Sequence, residues 1–187
     1  MKKVLLYSGG LDSWLIDKLW KPDVKVFVNV DSIGSHSEVE RLPKDVQVHN
    51  LDIGKFELVD KNYLLPLRNL FLVEIASYYG DEICLGATGS STHYDKTEKF
   101  AKYTEDVLNY LWSESNPEKR VKIVMPFRTW SKVDMLKEFV RQGGSLKEAW
   151  ESSFSCYNPV NGKPCMECTS CKKRIAAFKE AGYDFSD

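Results

Sequence analysis

Two groups of residues have the types and spacing for chemistry. The first is Ser8-Gly9-Gly10-Leu11-Asp12-Ser13, close to the start of the chain. The second is Cys156, Cys165, Cys168 and Cys171. The hexad follows an apolar run, Val4-Leu5-Leu6-Tyr7, that reads as a buried strand. Behind it Leu11, Leu15, Ile16 and Leu19 recur at helical spacing. The glycines therefore fall on a strand-to-helix turn. Such a turn aims backbone N–H groups and the positive helix end at one point, which suits an anion, above all a phosphate. Glycine lets a ligand approach the backbone, because it has no Cβ. Ser8 and Ser13 add hydroxyls, and Asp12 offers a carboxylate for a divalent cation beside the phosphate. An ordinary tight turn with a Ser or Asp cap is the plain alternative.

The cysteines are spaced C-x8-C-x2-C-x2-C. Two residues between neighbours let their thiolates share one ion, and four thiolates close a tetrahedral shell. That donor set suits a structural Zn²⁺ with no open position; an iron–sulfur cluster is the competing reading. Four of the five cysteines lie in this segment. In a reducing compartment that clustering argues for metal rather than disulfides. The remaining Cys84 falls inside an apolar strand and reads as core.

The elements that must position these groups alternate between strands and helices. Strands are expected at residues 4–7, 24–30, 46–50, 82–85 and 121–125. Helices are expected at the hexad, from Arg68 to Gly80, over 96–112, from a Ser131 cap to Gln142, over 145–150 and over 172–181. This order predicts an α/β fold: a doubly wound, mostly parallel five-stranded sheet, followed by a C-terminal cysteine knuckle and helix. Ligands in such sheets sit at the strands' carboxyl ends, where strand order reverses. Residues 1–150 then form the nucleotide-type domain, and 151–187 a metal-binding segment packed on it. Arg68, Asn69 and Lys132 fall in first helical turns. A cation there opposes the helix dipole, so Arg68 and Lys132 are either solvated surface charges or phosphate contacts. Gly86 to Asp95 is a polar loop at the fourth strand's end and faces the expected pocket, and it contains His93.

At 187 residues with 43% hydrophobic content, the chain can bury a real core. Net charge is −1 and the sequence pI about 6.3, a poor match to long nucleic acid. No apolar run approaches the roughly 20 residues of a membrane span, and the N-terminus lacks a signal-type apolar region. A cytoplasmic protein is expected.

The hexad resembles the pyrophosphate loop of the N-type ATP pyrophosphatases; it is not a Walker loop, since no Gly-Lys-Ser/Thr follows. Together with Leu65-Pro66-Leu67-Arg68-Asn69, Met125-Pro126 and Ser131-Lys132, it is similar to the 7-cyano-7-deazaguanine synthases. The tail is the most specific block: Ser155-Cys156-Tyr157-Asn158, Cys165 through Cys171, Arg174, Ala177-Phe178 and Ala181-Gly182. The resemblance implies ATP-dependent conversion of 7-carboxy-7-deazaguanine and ammonia to a nitrile, through adenylated acid and amide. It implies Asp12, Ser13, Lys132 and Arg68 as catalytic residues. ATP contacts would come from Tyr7, Ser8, Gly9, Gly10, Leu11, Asp12, Ser13, Trp14, Leu15, Val30 and Gly86. Arg68, Asn69 and Asp95 would meet the acceptor, with Mg²⁺ at Asp12, structural Zn²⁺ on the four cysteines, and a homodimer as the assembly.

Three segments depart from the family pattern. Trp14 stands where a small hydroxyl residue is common, and either packs in the core or stacks near adenine. Asp31-Ser32-Ile33-Gly34-Ser35-His36 replaces a Tyr-Gly-Gln motif, and His93-Tyr94-Asp95-Lys96-Thr97 replaces Tyr-Pro-Asp-Cys-Arg. Another adenylating pyrophosphatase, such as a tRNA thiolase or a ligase that stops at the amide, is the alternative enzyme. A nucleotide-binding module without catalysis is the alternative outside enzymes.

Overall fold

A computed structural model describes residues 1–32, 38–58, 60, 64–89 and 93–185. Its strands are β1 (Lys3–Leu6), β2 (Val24–Asn29), β3 (Val46–Asn50), β4 (Glu82–Cys84) and β5 (Lys122–Val124). Its helices are α1 (Leu11–Trp20), α2 (Arg68–Ala76), α3 (Glu98–Ser115), α4 (Lys132–Arg141), α5 (Leu146–Ser152) and α6 (Thr169–Glu180). The strands form one sheet in the order β3-β2-β1-β4-β5, and every pairing is parallel. "Mostly parallel" thus becomes wholly parallel. The order reverses between β1 and β4, which places the loops after these two strands beside each other.

Side-chain alternation explains the two faces. Along β1, Leu5 and Tyr7 join one core cluster, while Val4 and Leu6 join the other. The Leu5 cluster is closed by α1, α4, α5 and α6 through residues such as Trp14, Leu136, Ala149 and Phe178. The Val4 cluster is closed by α2 and α3 through Val73, Ala76, Ala101 and Leu108. Strands buried on both sides read as apolar runs without polar alternation, as Val4-Leu5-Leu6-Tyr7 does. Cys84 is fully buried in the Leu5 cluster, and burial pushes its thiol upward. Among the described residues no helix is long and apolar enough to cross a membrane.

Element ends differ from expectation where side chains take over backbone partners. β5 starts at Lys122 because Asn109 holds both backbone groups of Val121, at 2.7 and 2.9 Å. The helix expected from Lys96 starts at Glu98. Thr97 caps it by accepting the Phe100 N–H at 3.2 Å, and Tyr94–Lys96 forms a separate 3₁₀ turn. α6 starts at Thr169 because Cys168 Sγ accepts the Cys171 N–H. Ser131 does cap α4, in a reciprocal box with Asp134.

Trp14 packs edge-on against Phe139 with ring centroids 5.1 Å apart, and it is 4% exposed. Its aromatic surface is spent joining α1 to α4. Trp14→Ala should therefore cost about 3–5 kcal/mol of stability. Denaturant unfolding checks this, and the nucleotide affinity of the folded fraction is expected to stay at the parent value.

Candidate active site at the sheet's switch point

β1 delivers the hexad to the reversal point, and α1 begins at its fourth residue. Gly9 has φ +74°, a conformation that favours glycine. Gly10 has an ordinary φ, but a Cβ there would sit 3.3 Å from Ser8 Oγ. The two serines tie the loop to itself. Ser13 Oγ accepts the Ser8 N–H at 3.2 Å and donates to the Gly10 carbonyl at 3.1 Å. Ser8 Oγ lies 3.3 Å from Ser13 Oγ.

The outer side of the loop rests on the C-terminal tail. Phe154 N–H donates to the Gly9 carbonyl at 3.0 Å. Leu11 N–H donates to Ser155 Oγ at 3.1 Å, across 144 residues of sequence. Ser155 leads directly into Cys156, and its carbonyl accepts from Cys171 Sγ at 3.6 Å. The Leu11 N–H, expected to face pyrophosphate, is thus engaged by a serine that sequence reasoning gave no role beyond a family motif.

A cavity of about 800 Å³ opens over the loop. Of the residues expected to bind, Tyr7, Ser8, Gly10, Leu11, Asp12, Ser13, Val30, Arg68, Asn69, Gly86 and Lys132 line it. Gly9, Trp14, Leu15 and Asp95 do not. Trp14 and Leu15 are core residues on the buried face of α1, which corrects their expected place beside the nucleotide. Gly9 is turned to the tail through its carbonyl. Asp95 stands behind the wall, where its carbonyl accepts from Asn69 Nδ2 at 3.2 Å. Asp12 and Lys132, from the first turns of α1 and α4, form a direct ion pair. The cation at the α4 N-terminus is therefore balanced by a carboxylate. His93 also lines the cavity, whereas His49 lies on β3 with its ring bonded to Tyr79 OH. Ile33 to His36 and Ser90 to Thr92 lie outside the described residues.

Matching against known families decides where this architecture belongs. The sequence model described as "Queuosine biosynthesis protein QueC" matches residues 25–182. The chain belongs to this family. A 7-cyano-7-deazaguanine synthase of Leptospira interrogans is 33% identical, over 74% of this chain and 58% of that protein. One from Desulfitobacterium hafniense is 27% identical, over 95% of this chain and 91% of its own length. One from Sulfurihydrogenibium is 28% identical, with 98% and 96% covered. The match thus spans little more than half of the Leptospira protein and nearly all of the other two.

Within this QueC-family chain the cysteine sulfurs all lie within 4.8 Å of one another, and Cys165 and Cys171 are 4.0 Å apart. Zinc–sulfur bonds of about 2.3 Å in a tetrahedron place sulfurs about 3.8 Å apart, so the four thiols fit Zn²⁺. Backbone N–H groups of Cys165, Cys168 and Cys171 donate to Cys156, Cys165 and Cys168 at 3.2, 3.3 and 3.4 Å, and the bond from the Cys168 N–H holds the Cys165 thiol below its ordinary value. Arg174, a tail residue in the family resemblance, has a mechanical role. It is 4% exposed, stacks 3.9 Å over Trp150, and donates to the Trp150 carbonyl and, at 2.8 Å, to that of Ser153. It fixes α6 to the end of α5, just before Phe154 and Ser155. For Mg²⁺, Asp12 supplies a carboxylate that lines the cavity at the loop. One or two carboxylates plus substrate phosphates are the usual donors for that ion.

Sequence reasoning missed Glu38, Lys96, Ser155 and Lys173, all of which line the cavity. Ser155 belongs to the tail motif and Lys96 to the departing stretch at 93–97; Glu38 and Lys173 carry no motif signal, and their places follow from chain crossings. Burial holds the half-buried Glu38 carboxyl up to about 7, against the pull of Arg68.

Two outcomes follow from this geometry. Chelation of the metal should lower the melting temperature and speed amide exchange over residues 8–13, read by hydrogen-exchange mass spectrometry. Glu38 binds its proton more tightly in the folded chain than in the unfolded one. Its contribution to stability is therefore full below pH about 4.5 and is lost as pH rises through about 7. Glu38→Gln should flatten that part of the pH–stability profile, measured by unfolding from pH about 4 to about 8.

Proposed function

We propose that this chain converts 7-carboxy-7-deazaguanine, ammonia and two molecules of ATP to 7-cyano-7-deazaguanine. The observation that carries the reading is the hexad at the switch point of a QueC-family sheet, with Asp12 paired to Lys132 above it. A carboxylate oxygen of the acid attacks the α-phosphorus of the first ATP. The new P–O bond forms as the α–β anhydride bond breaks, and pyrophosphate leaves with the electron pair. Ammonia adds to the acyl carbon, gives up a proton, and expels AMP to leave the amide. The amide oxygen then attacks the second α-phosphorus, and the α–β anhydride bond breaks to release a second pyrophosphate. Loss of AMP and of the remaining N–H protons leaves the nitrile.

The protein's part is to position the reactants and balance charge. The N-terminus of α1 and the loop face the departing pyrophosphate. Asp12 holds the nucleotide's Mg²⁺ and keeps Lys132 oriented toward the phosphates. Val28, Val30 and Ser32, which line the cavity at the end of β2, edge the adenine. Arg68 and Asn69 face the acceptor, with Asp95 reaching it through Asn69. Zn²⁺ on the cysteines holds the tail and takes no part in bond making. In this reading residues 1–150 are the catalytic domain and 151–187 its zinc-binding brace. The partners are small molecules, the location is the cytoplasm, and the assembly is a homodimer.

Asp12→Ala should lower pyrophosphate release by about 100-fold or more while zinc content and melting temperature stay at parent values. Mass spectrometry of the wild-type reaction should show the nitrile. Accumulation of amide alone would assign the chain to the amide-forming alternative, and an active Asp12→Ala protein would remove Asp12 from the mechanism.

A further inference from the structure

Lys96 entered the sequence reading only as part of the stretch 93–97 that departs from the family pattern, and its surroundings ask for an anion. It lies in the 3₁₀ turn Tyr94–Lys96 and lines the cavity. That turn is held at its carbonyls from two sides. Asn69 Nδ2 donates to the Asp95 carbonyl at 3.2 Å, and Arg128 Nε donates to the Lys96 carbonyl at 3.1 Å. Asn69 is itself 2% exposed in the first turn of α2, so the turn is anchored to the core.

The charge around the amine is unbalanced. Lys132, the neighbouring cation from α4, is taken up by Asp12. Among the described residues no carboxylate lies within ion-pair distance of the Lys96 amine. Burial and the positive field of Arg68 weaken its hold on a proton; Asp95 and, more weakly, Asp12 support it, and Lys132 opposes it. A partly desolvated cation beside a second cation is costly unless an anion completes the group. Two cations on rigid elements around one opening match an anion that arrives with a ligand.

We propose that Lys96 contacts the carboxylate of the acceptor, holding it with Arg68 in line with the α-phosphorus. This inference rests on the proposed function and adds a residue to it. The assignment to the acceptor rather than the pyrophosphate follows from placement. Lys96 directly follows Asp95, whose carbonyl is held by Asn69, the neighbour of Arg68 at the start of α2. Its turn is fixed by Asn69, on the α2 side of the opening. No bond of Lys96 is made or broken. The amine offsets the two oxygens' charge in the ground state and orients one of them for attack.

The test compares wild type with Lys96→Met, Lys96→Gln and Lys96→Arg in metal-loaded protein. Pyrophosphate release is measured against 7-carboxy-7-deazaguanine and against ATP, and a non-hydrolysable ATP analogue is titrated by calorimetry. Lys96→Met should lower kcat/KM for the acid by about 100-fold and leave analogue affinity within about threefold. Lys96→Arg should recover about a tenth of the lost activity or more. Lys96→Gln is used in the same way if the Met variant fails to fold. Acid kinetics within about threefold of wild type would overturn the proposal, as would a loss of analogue affinity equal to the loss for the acid. A wild-type protein inert toward acid and ATP would overturn the proposed function itself, a result distinct from an active wild type with an equally active Lys96→Met variant.

Discussion

Two hydrogen bonds from the tail fix the loop on which the rest of the site depends. Phe154 N–H holds the Gly9 carbonyl, and Ser155 Oγ holds the Leu11 N–H. The loop's inner side is set by β1 and α1, both buried deep in the sheet's core. Its outer side leans on this segment. The segment ends at Cys156 and is clamped from behind by Arg174. A metal on the four cysteines would therefore do more than stabilise a small appendage. It would set the position of the two residues that set the loop. By linkage, whatever tightens the knuckle tightens the loop, and a ligand that orders the loop favours the closed knuckle.

The second organising constraint is charge. The chain as a whole is nearly neutral, yet Arg68, Lys96, Lys132, Lys173 and Arg174 all line the cavity, against Asp12 and Glu38. These five cations face one opening. Such a cluster suits small anions. Burial raises Glu38 and lowers Lys96 toward their neutral forms. Desolvation is thus felt on both signs of charge, as expected where hydrogen bonds and dipoles are to act strongly on a bound ligand.

Much of this was legible in the sequence because local signals carried it. Apolar runs gave the strands, and their alternation with helical patterns gave the parallel sheet. The Ser131 cap, the glycine turn after β1 and the cysteine spacing each encode their own geometry over a few residues. What the sequence did not display was set by contacts between distant segments. Trp14 and Leu15 sit next to the loop in sequence, but helical rotation turns them into the core. Asp95 lies next to Lys96, yet only Lys96 lines the cavity. Ser155 reaches Leu11 because α6 is pinned against α5 by Arg174, and no local pattern announces that. The ends of β5 and α3 moved because Asn109 and Thr97 supplied side-chain partners for backbone groups.

The central claim is that the acid is activated as an adenylate within this cavity. The direct measurement uses 7-carboxy-7-deazaguanine labelled with ¹⁸O in both carboxyl oxygens, with ATP and ammonia, and mass analysis of the products. The mechanism sends each carboxyl oxygen to a different AMP. The predicted result is one ¹⁸O in each AMP, none in pyrophosphate, and an unlabelled nitrile. Label in pyrophosphate or inorganic phosphate, or AMP without label, would contradict the account.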